Sequence, residues 1–221
     1  EYKVFIMLRK LYLSPFGWFI SIVQNFWSLL FRPFMVYGYY NRTCGKFRKL
    51  TRISSSAIIV SKSKLDLANN VFIWHYSILD ASNGIKIDEG CQIGAWVGIF
   101  SHGSHISIRL LGRKYIEIPK EERIGYQKGS VKIGQYTFVG AGAIILPGVT
   151  IGKGCIIGAS SVVSINVPDY SVVTGNPAKI VGSTLSLDKR HFKKELVREH
   201  YFDPEVINDY LEKNKSKLDI K

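Results

Sequence analysis

The sequence has few cysteines and no apolar run long enough for a simple membrane span. Three cysteines in 221 residues are an odd number and too few for a disulfide framework, so a reducing, cytoplasmic compartment is expected. The most apolar stretch, Phe16 to Phe31, is sixteen residues long with Gln24 and Asn25 in its middle, whereas a spanning helix needs about 20. These absences exclude a disulfide-stapled scaffold and a typical transmembrane helix.

Several common catalytic motifs are absent as well. No Gly-x-Ser-x-Gly elbow occurs and no cysteine stands beside a histidine, so the sequence does not indicate a covalent acyl-enzyme. Neither a Walker loop nor a dinucleotide-binding glycine motif is present. The 20 glycines of the chain follow a different spacing, which is the main signal in the sequence.

Acidic residues are scarce at the N-terminus. The net charge of +13 raises the question of nucleic-acid binding, but residues 1–52 hold nine Lys and Arg against one acid, Glu1, in the most aromatic part of the chain. A basic, aromatic segment favours an anionic membrane face over nucleic acid, so no nucleic-acid partner is expected. We predict an N-terminal amphipathic helical extension over residues 1–50. It either contacts the inner face of the cell membrane peripherally or packs on the protein.

What the sequence does contain is a repeat of six residues. A helix repeats every 3.6 residues and a strand every 2, so a period of six fits neither. Short strands joined by tight turns, three to a coil of about eighteen residues, would place every sixth aliphatic side chain inside a triangular prism. Glycine or serine usually follows the aliphatic, and we interpret the glycines as an adaptation to unusual torsions at the corners. The repeating residues are Ile133, Val139, Ile145, Ile151, Ile157 and Val163.

The repeat is less regular before residue 101 and then stops for about thirty residues. Leu67, Ile73 and Leu79 share one phase and Ile87, Ile93 and Ile99 another, so an extra pair near Asn83-Gly84 should bulge from a corner. We predict a β-helix over residues 51–182, interrupted by a loop over residues 102–130. Long loops in compact domains are usually functional.

Residues 183–221 are predicted to form two short helices broken at Pro204. Cys91 and Cys155 are expected to point inward.

From Ile133-Gly134 to Gly175-Asn176-Pro177-Ala178-Lys179 the chain resembles the hexapeptide-repeat acyltransferases. The resemblance is strongest to the acetyl-CoA-dependent O-acetyltransferases of bacterial surface polysaccharides. It implies an all-β fold, a left-handed parallel β-helix, assembled as a homotrimer. It also implies acetyl-CoA as the acyl donor, bound between two prisms, and no metal.

The resemblance further implies that a catalytic histidine stands at the root of the inserted loop. In the family this histidine lies five or six positions after the last inward aliphatic, here Ile99. His105 at plus six is therefore the first candidate, and His102 at plus three is a supporting or competing one. An imidazole with a pKa near 6.5 can take the proton of a sugar hydroxyl as that hydroxyl attacks a thioester.

Matching positions on the late coils imply the acetyl-CoA contacts. Lys179 could meet a CoA phosphate as a point charge. The chain departs from the family at Phe138, where many relatives have Trp, and at Ile165, where many have Lys. The implied cofactor-binding residues are Gly140, Ala141, Ala159, Ser164 and Lys179.

The leading hypothesis is O-acetylation of a sugar in a cell-surface glycan, with a polymeric or lipid-linked acceptor favoured by the N-terminus. N-acylation of a nucleotide-linked amino sugar would use the same histidine and stays open. A third hypothesis is a zinc protein of the same fold, similar to carbonic anhydrases, for which His75, His102 and His105 supply three nitrogen ligands. The segment Asn176 to Lys179 would then have no purpose.

Overall fold

A computed structural model describes residue 14 and residues 16–218. The chain divides into two compact units between Phe34 and Met35. The described part of the first unit holds helix α1, Gly17–Leu30. The ring of Trp27 stacks on that of Phe31, the residue that follows the helix, with 5.9 Å between centroids. Predictions for residues 1–13, 15 and 219–221 lie outside the described residues. Among the residues that are described, no helix has the length and apolar character to cross a membrane.

The second unit begins with a β-hairpin, which corrects the prediction of a helical extension as far as residue 50. Strand β1, Met35–Asn41, pairs antiparallel with β2, Lys46–Ser54. Aromatic and β-branched residues are common in both strands, and they favour extended structure. The end of β2 already pairs in parallel with the first coil, since Ile53 is in register with Ile73.

Beyond the hairpin, short parallel strands stack into the three faces of a prism. Face A contains β2-β5-β8-β13-β16-β18, face B contains β3-β6-β9-β14-β17 and face C contains β4-β7-β12-β15. The chain visits the faces in the order A, B, C. The strands are β3 (Ile58–Val60), β4 (Leu65–Leu67), β5 (Phe72–Ile73), β6 (Ile78–Asp80), β7 (Ile85–Ile87), β8 (Gln92–Ile93), β9 (Gly98–Phe100), β12 (Val131–Ile133), β13 (Phe138–Val139), β14 (Ile144–Ile145), β15 (Thr150–Ile151), β16 (Ile156–Ile157), β17 (Val162–Val163) and β18 (Ser171–Gly175).

Register shows why the early repeat is irregular. Ile58 pairs with Ile78 and Ile78 with Gly98, so the first coils are twenty residues long. Later, Ile144 pairs with Val162, which gives eighteen. The extra pair predicted near Asn83-Gly84 lies at the corner between faces B and C, and the preceding coil has the same enlarged corner at residues 61–64.

The predicted inward residues form the core. All six aliphatics of the late repeat and all six of the early coils are at most 1% exposed, and so are Cys91 and Cys155. Each buried Ile, Leu or Val contributes about 1.5–3 kcal/mol. The prism is therefore held together mainly by these stacked aliphatic side chains.

The glycines that follow the aliphatics have a different cause from the one predicted. Gly134 and Gly140 do not have positive φ. Instead, a Cβ on Gly134 would lie 2.6 Å from the backbone of Gly152 and Lys153, and one on Gly140 would lie 2.6 Å from the Ala159 nitrogen. Close stacking of successive coils, rather than backbone torsion, excludes a side chain there.

The C-terminal part closes the prism with a hairpin and helices. Strand β18 pairs antiparallel with β19, Ala178–Ser183. Three helices follow, where two were predicted: α3 (Thr184–Asp188), α4 (Glu195–His200) and α5 (Pro204–Leu218). Pro204 begins α5, because proline is well tolerated in the first turn of a helix.

Candidate active site

The inserted loop, which was predicted over residues 102–130, leaves the prism at the corner between faces B and C. It begins with strand β10, His102–Gly103, which pairs antiparallel with β11, Gln127–Lys128. The Gly129 N–H donates to the Ser101 carbonyl at 3.0 Å and closes the root of the loop. Between the two strands lie helix α2, Ser107–Leu111, and a 3₁₀ turn over Gly112–Ile116.

His102 lies at this root beside a carboxylate. Its Nδ1 is 2.9 Å from Oδ2 of Asp80, and its ring stacks on Tyr126 with 5.6 Å between centroids. The two atoms are close enough for an ion pair, but their angles do not meet hydrogen-bond geometry. Among the described residues, Nδ1 has no well-aligned hydrogen-bond acceptor. A carboxylate beside Nδ1 favours the proton on that nitrogen, which leaves Nε2 to act as a base.

Asp80 is itself fixed by the preceding corner. Its side chain accepts from the backbone N–H of Ser82 at 3.0 Å, and its carbonyl accepts from the Ser101 hydroxyl at 2.7 Å. Only 8% of the residue is exposed. Hydrogen bonds therefore hold Asp80 to Ser82 and to Ser101 at the root of the loop, and its carboxylate contacts His102 at an ion-pair distance. Sequence reasoning missed Asp80, although an acid directly after the inward Leu79 was a usable signal.

His105 lies at the same root without such support. Its side chain is exposed, just before α2. A Cβ on Gly103 would be 3.4 Å from the His105 Nδ1 and 3.1 Å from the Gln127 Oε1, so the imidazole lies close to that strand pair. Both predicted histidines thus lie at the root of the loop, and the Asp80 carboxylate contacts His102.

The thiols of the prism are unsuited to nucleophilic catalysis. Burial raises the pKa of Cys91 to about 12 and also raises the pKa of Cys155. Only the thiolate is a good nucleophile, so both side chains remain inert at neutral pH. Cys44 is exposed but lies on the hairpin turn, away from the loop root in the chain.

The predicted donor positions lie on the late coils. Gly140 is buried against the next coil, whereas Ala141 and Ala159 are exposed at one corner of successive coils. Ser164 and Lys179 are also exposed, with Lys179 on the terminal hairpin in register with Thr174. The exposed small side chains leave a smooth edge on which an extended pantetheine chain could lie.

Within residues 14 and 16–218, no group of three or more His, Cys, Asp and Glu side chains could hold a metal ion. The three histidines of the zinc hypothesis are differently engaged. His75 Nδ1 is 2.7 Å from the Ser54 hydroxyl, while His102 contacts Asp80.

Comparison with known proteins supports the repeat. Residues 130–164 match the family described as bacterial transferase hexapeptide (six repeats). The chain is 50% identical over 58 residues to a Staphylococcus aureus protein named as an acetyltransferase, covering 26% of this chain and 29% of that one. It is 29% identical over 147 residues to the dTDP-4-amino-4,6-dideoxy-D-glucose acyltransferase of Escherichia coli, covering 66% and 71%.

A solved structure shows the same fold. The maltose O-acetyltransferase from Clostridium difficile 630 superposes with a TM-score of 0.50 at 26% identity, over 58% of this chain and 64% of that chain. The likeness implies left-handed coils, against the right-handed rule for parallel crossovers. A structurally similar galactoside acetyltransferase was solved with coenzyme A. The resemblance to hexapeptide-repeat transferases is confirmed.

Proposed function

We propose that this hexapeptide-repeat protein transfers the acetyl group of acetyl-CoA to a hydroxyl of a sugar in a cell-surface polysaccharide. The observation that carries the proposal is the His102–Asp80 contact at the root of a loop inserted in a hexapeptide-repeat prism. The family relation supports an acyl transfer from CoA. The histidine and its carboxylate support direct proton abstraction from an acceptor.

The proposed reaction is a single displacement in a ternary complex. The acceptor hydroxyl oxygen attacks the thioester carbonyl carbon as Nε2 of the histidine takes the hydroxyl proton. The resulting tetrahedral oxyanion collapses, the carbon–sulfur bond breaks, and the imidazolium returns the proton to the leaving thiolate of CoA. A backbone N–H at a coil corner would stabilise the oxyanion.

We assign the base to His102, with Asp80 as its positioning residue, and keep His105 as the second candidate. A base whose second nitrogen is held by a third group is the recurrent arrangement for activating a hydroxyl. The spacing implied by the family resemblance favours His105, but its imidazole is exposed, and the ion pair found at the loop root among the described residues joins Asp80 to His102.

The donor is proposed to lie along the corner that carries Ala141 and Ala159, with Ser164 and Lys179 toward the nucleotide end. Gly140 allows the coils to stack closely beneath it. A homotrimer would close this edge with a neighbouring subunit. Peripheral contact with the anionic inner face of the cell membrane is proposed for the N-terminal region and the β1–β2 hairpin.

A second candidate is N-acylation of a nucleotide-linked amino sugar, which the E. coli relative favours. The deciding experiment incubates the purified protein with acetyl-CoA and either the host surface glycan or a dTDP-linked 4-amino sugar. Thiol release and mass spectrometry of the acceptor are then measured. We expect acetyl ester on the glycan. An amide on the nucleotide sugar alone would establish the second candidate, and no thiol release with either acceptor would refute acetyl transfer to both.

A further inference from the structure

One corner of the prism carries a ladder of equivalent residues from coil to coil. Tyr76, Trp96, Gly142 and Ser160 each stand three positions after strands that pair in register, and all four have φ between 56° and 71°. The corner has two halves. The late coils carry small residues here, where we place the donor, whereas the early coils carry aromatic ones.

The aromatic half forms an open groove of about 450 Å³ between the corner and face A. The rings of Tyr76 and Trp96 stack with 6.2 Å between centroids and 9° between planes, and Trp96 is 64% exposed. Trp74 meets Phe72 edge-on at 5.9 Å. Exposed apolar grooves are typical of ligand sites and of contacts with other proteins. The lining includes Phe72, Trp74, His75, Tyr76, Trp96 and Phe138.

Polar groups are placed at specific points of this groove. Gln92 is exposed and lies in register between the rings of Phe72 and Phe138. His75 is held by the Ser54 hydroxyl at 2.7 Å. The exposed surface of the groove is almost wholly apolar, so hydroxyl groups at the edge of a ring stacked on the aromatics would reach only the Gln92 amide or His75 Nε2.

The charge beside the groove is positive. The Arg52 guanidinium lies 5.1 Å from the centroid of Phe72, which is a lining residue. No Asp or Glu lines the groove in the part of the chain that the structure describes. A guanidinium over a ring keeps its N–H edge available, and this edge is well matched to phosphate oxygens.

We propose that this groove binds the acceptor as a pyranose carrying a phosphate, with the sugar against Trp74, Tyr76 and Trp96 and the phosphate at Arg52. The inference rests on the proposed function, whose substrate class it narrows to glycosyl phosphates. Ala141 belongs to both the groove lining and the small half of the corner. A sugar in the groove therefore lies next to the proposed path of the acyl donor.

The test is ligand-observed NMR on the full chain without acetyl-CoA. The probes are the 1-phosphates of glucose, galactose and mannose, with free glucose and inorganic phosphate for comparison. At least one hexose 1-phosphate is expected to bind ten-fold more tightly than either comparison ligand. Trp74→Ala and Arg52→Gln should each weaken it ten-fold or more. Tyr40→Ala and Arg42→Gln, an exposed aromatic and an exposed arginine on the hairpin outside the groove, should leave it unchanged.

Other occupants give different results. If decyl phosphate binds through the same residues and no hexose phosphate does, the groove holds an apolar chain and the proposal is wrong. If Trp74→Ala changes the mass in light scattering, the groove is a contact between copies of the chain, which also overturns it. Binding without any acetyl transfer would refute the proposed function alone, and transfer without such binding would refute the groove alone.

Discussion

At the scale of single residues, the proposed catalytic pair is His102 and Asp80 at the loop root. A carboxylate next to one ring nitrogen of a histidine favours one orientation and one tautomer of the ring, and among the described residues of the loop root Asp80 lies beside His102 in this way. Spacing along the chain points to His105, because counting residues does not reveal a partner from the preceding coil. Mutation of the two histidines distinguishes these assignments.

His102→Ala is expected to lower the turnover of acetyl-CoA with acceptor by about 10²- to 10⁴-fold, since a general base is lost. His105→Ala should cost much less activity, and its melting temperature should change little because this side chain is exposed. His102→Ala should lower the melting temperature modestly, because it removes the contact with the largely buried Asp80 carboxylate. Steady-state thiol release measures both. An inactive His105 variant beside an active His102 variant would exchange the roles. Normal activity of both would remove the histidines from the mechanism.

Substitution of Gly134 tests why the repeat contains glycines after its aliphatic residues. Gly134→Ala should destabilise the protein by about 1–3 kcal/mol, because the new Cβ would overlap the backbone of the next coil, which cannot move aside. Gly182→Ala is the matched control, since its nearest neighbour would be 3.9 Å away, an ordinary contact. Denaturant unfolding compares the two, and equal stability of both variants would argue against close stacking as the cause.

At the scale of elements, the β1–β2 hairpin is basic and rich in exposed aromatics. Arg42, Lys46 and Lys49 are exposed, and so are Tyr37 and Phe47. Such a combination suits the interface of an anionic membrane. The hairpin belongs to the prism unit, so it offers this surface on a folded support.

Replacing Arg42, Lys46 and Lys49 together by Gln should weaken binding to vesicles containing phosphatidylserine by roughly 10²-fold, at about 1 kcal/mol per charge. Added salt should also weaken vesicle binding by the unmodified protein. The matched control replaces Lys189, Arg190 and Lys193 by Gln, an equal loss of charge on the exposed C-terminal segment. Vesicle sedimentation that responds equally to both triple variants would contradict a specific role for the hairpin.

The C-terminal helices are joined to the prism through Asp203. Its side chain lies 2.5 Å from Nζ of Lys153 and accepts a hydrogen bond from Tyr170. Burial alone would raise the pKa of this carboxyl, but the bonds from Lys153 and Tyr170 outweigh it and hold the pKa below its ordinary value. Burial and the Asp203 carboxylate raise the pKa of Tyr170 to about 12.

These shifts predict how stability depends on pH. A carboxyl group whose pKa is lower in the folded than in the unfolded protein stabilises the fold at pH values above its unfolded pKa, near 3.9. This stabilisation is lost as the pH falls through the pKa of the folded state. Asp203→Asn should therefore lower the melting temperature at pH 7, by an amount that shrinks toward pH 3. The control is Asp209→Asn, which breaks the exposed pair with Lys213 and should have little effect at either pH. An undiminished difference at pH 3 would contradict the ionic account.

At the scale of the whole molecule, the two parts of the proposed site lie at different corners of one prism. The loop root lies at the corner between faces B and C, whereas the small residues proposed for the donor lie at the corner between faces A and B. Cyclic symmetry is the ordinary way to bring one corner of a subunit to another corner of its neighbour. We therefore predict a homotrimer.

Light scattering should give a mass three times that of the 25.0-kDa chain. Mixing the inactive variant of one corner with an inactive variant of the other, for example His102→Ala with Ala141→Trp, should restore part of the acetyl transfer if the site is shared between subunits. A monomer that turns over acetyl-CoA would contradict the prediction.

The sequence by itself determined the prism, its interrupting loop and the buried face of each strand. A six-residue period of aliphatic side chains has few other solutions, and burying these side chains supplies most of the stability. Register between coils is then set by chain length alone, so Ile133 to Val163 were assigned inward correctly. The end of the period located the root of the loop, and the family resemblance then singled out His102 and His105 as candidates there.

Only the tertiary structure decided which histidine meets a carboxylate, why the repeat keeps its glycines and where the aromatics gather. Asp80 reaches His102 because a coil of twenty residues returns the chain to the same corner, as Ile78 pairing with Gly98 shows. Gly134 cannot carry a side chain because the backbone of the next coil, eighteen residues further along the chain, lies too close. These are contacts between coils, and a local pattern contains no information about them until the length of every coil is fixed.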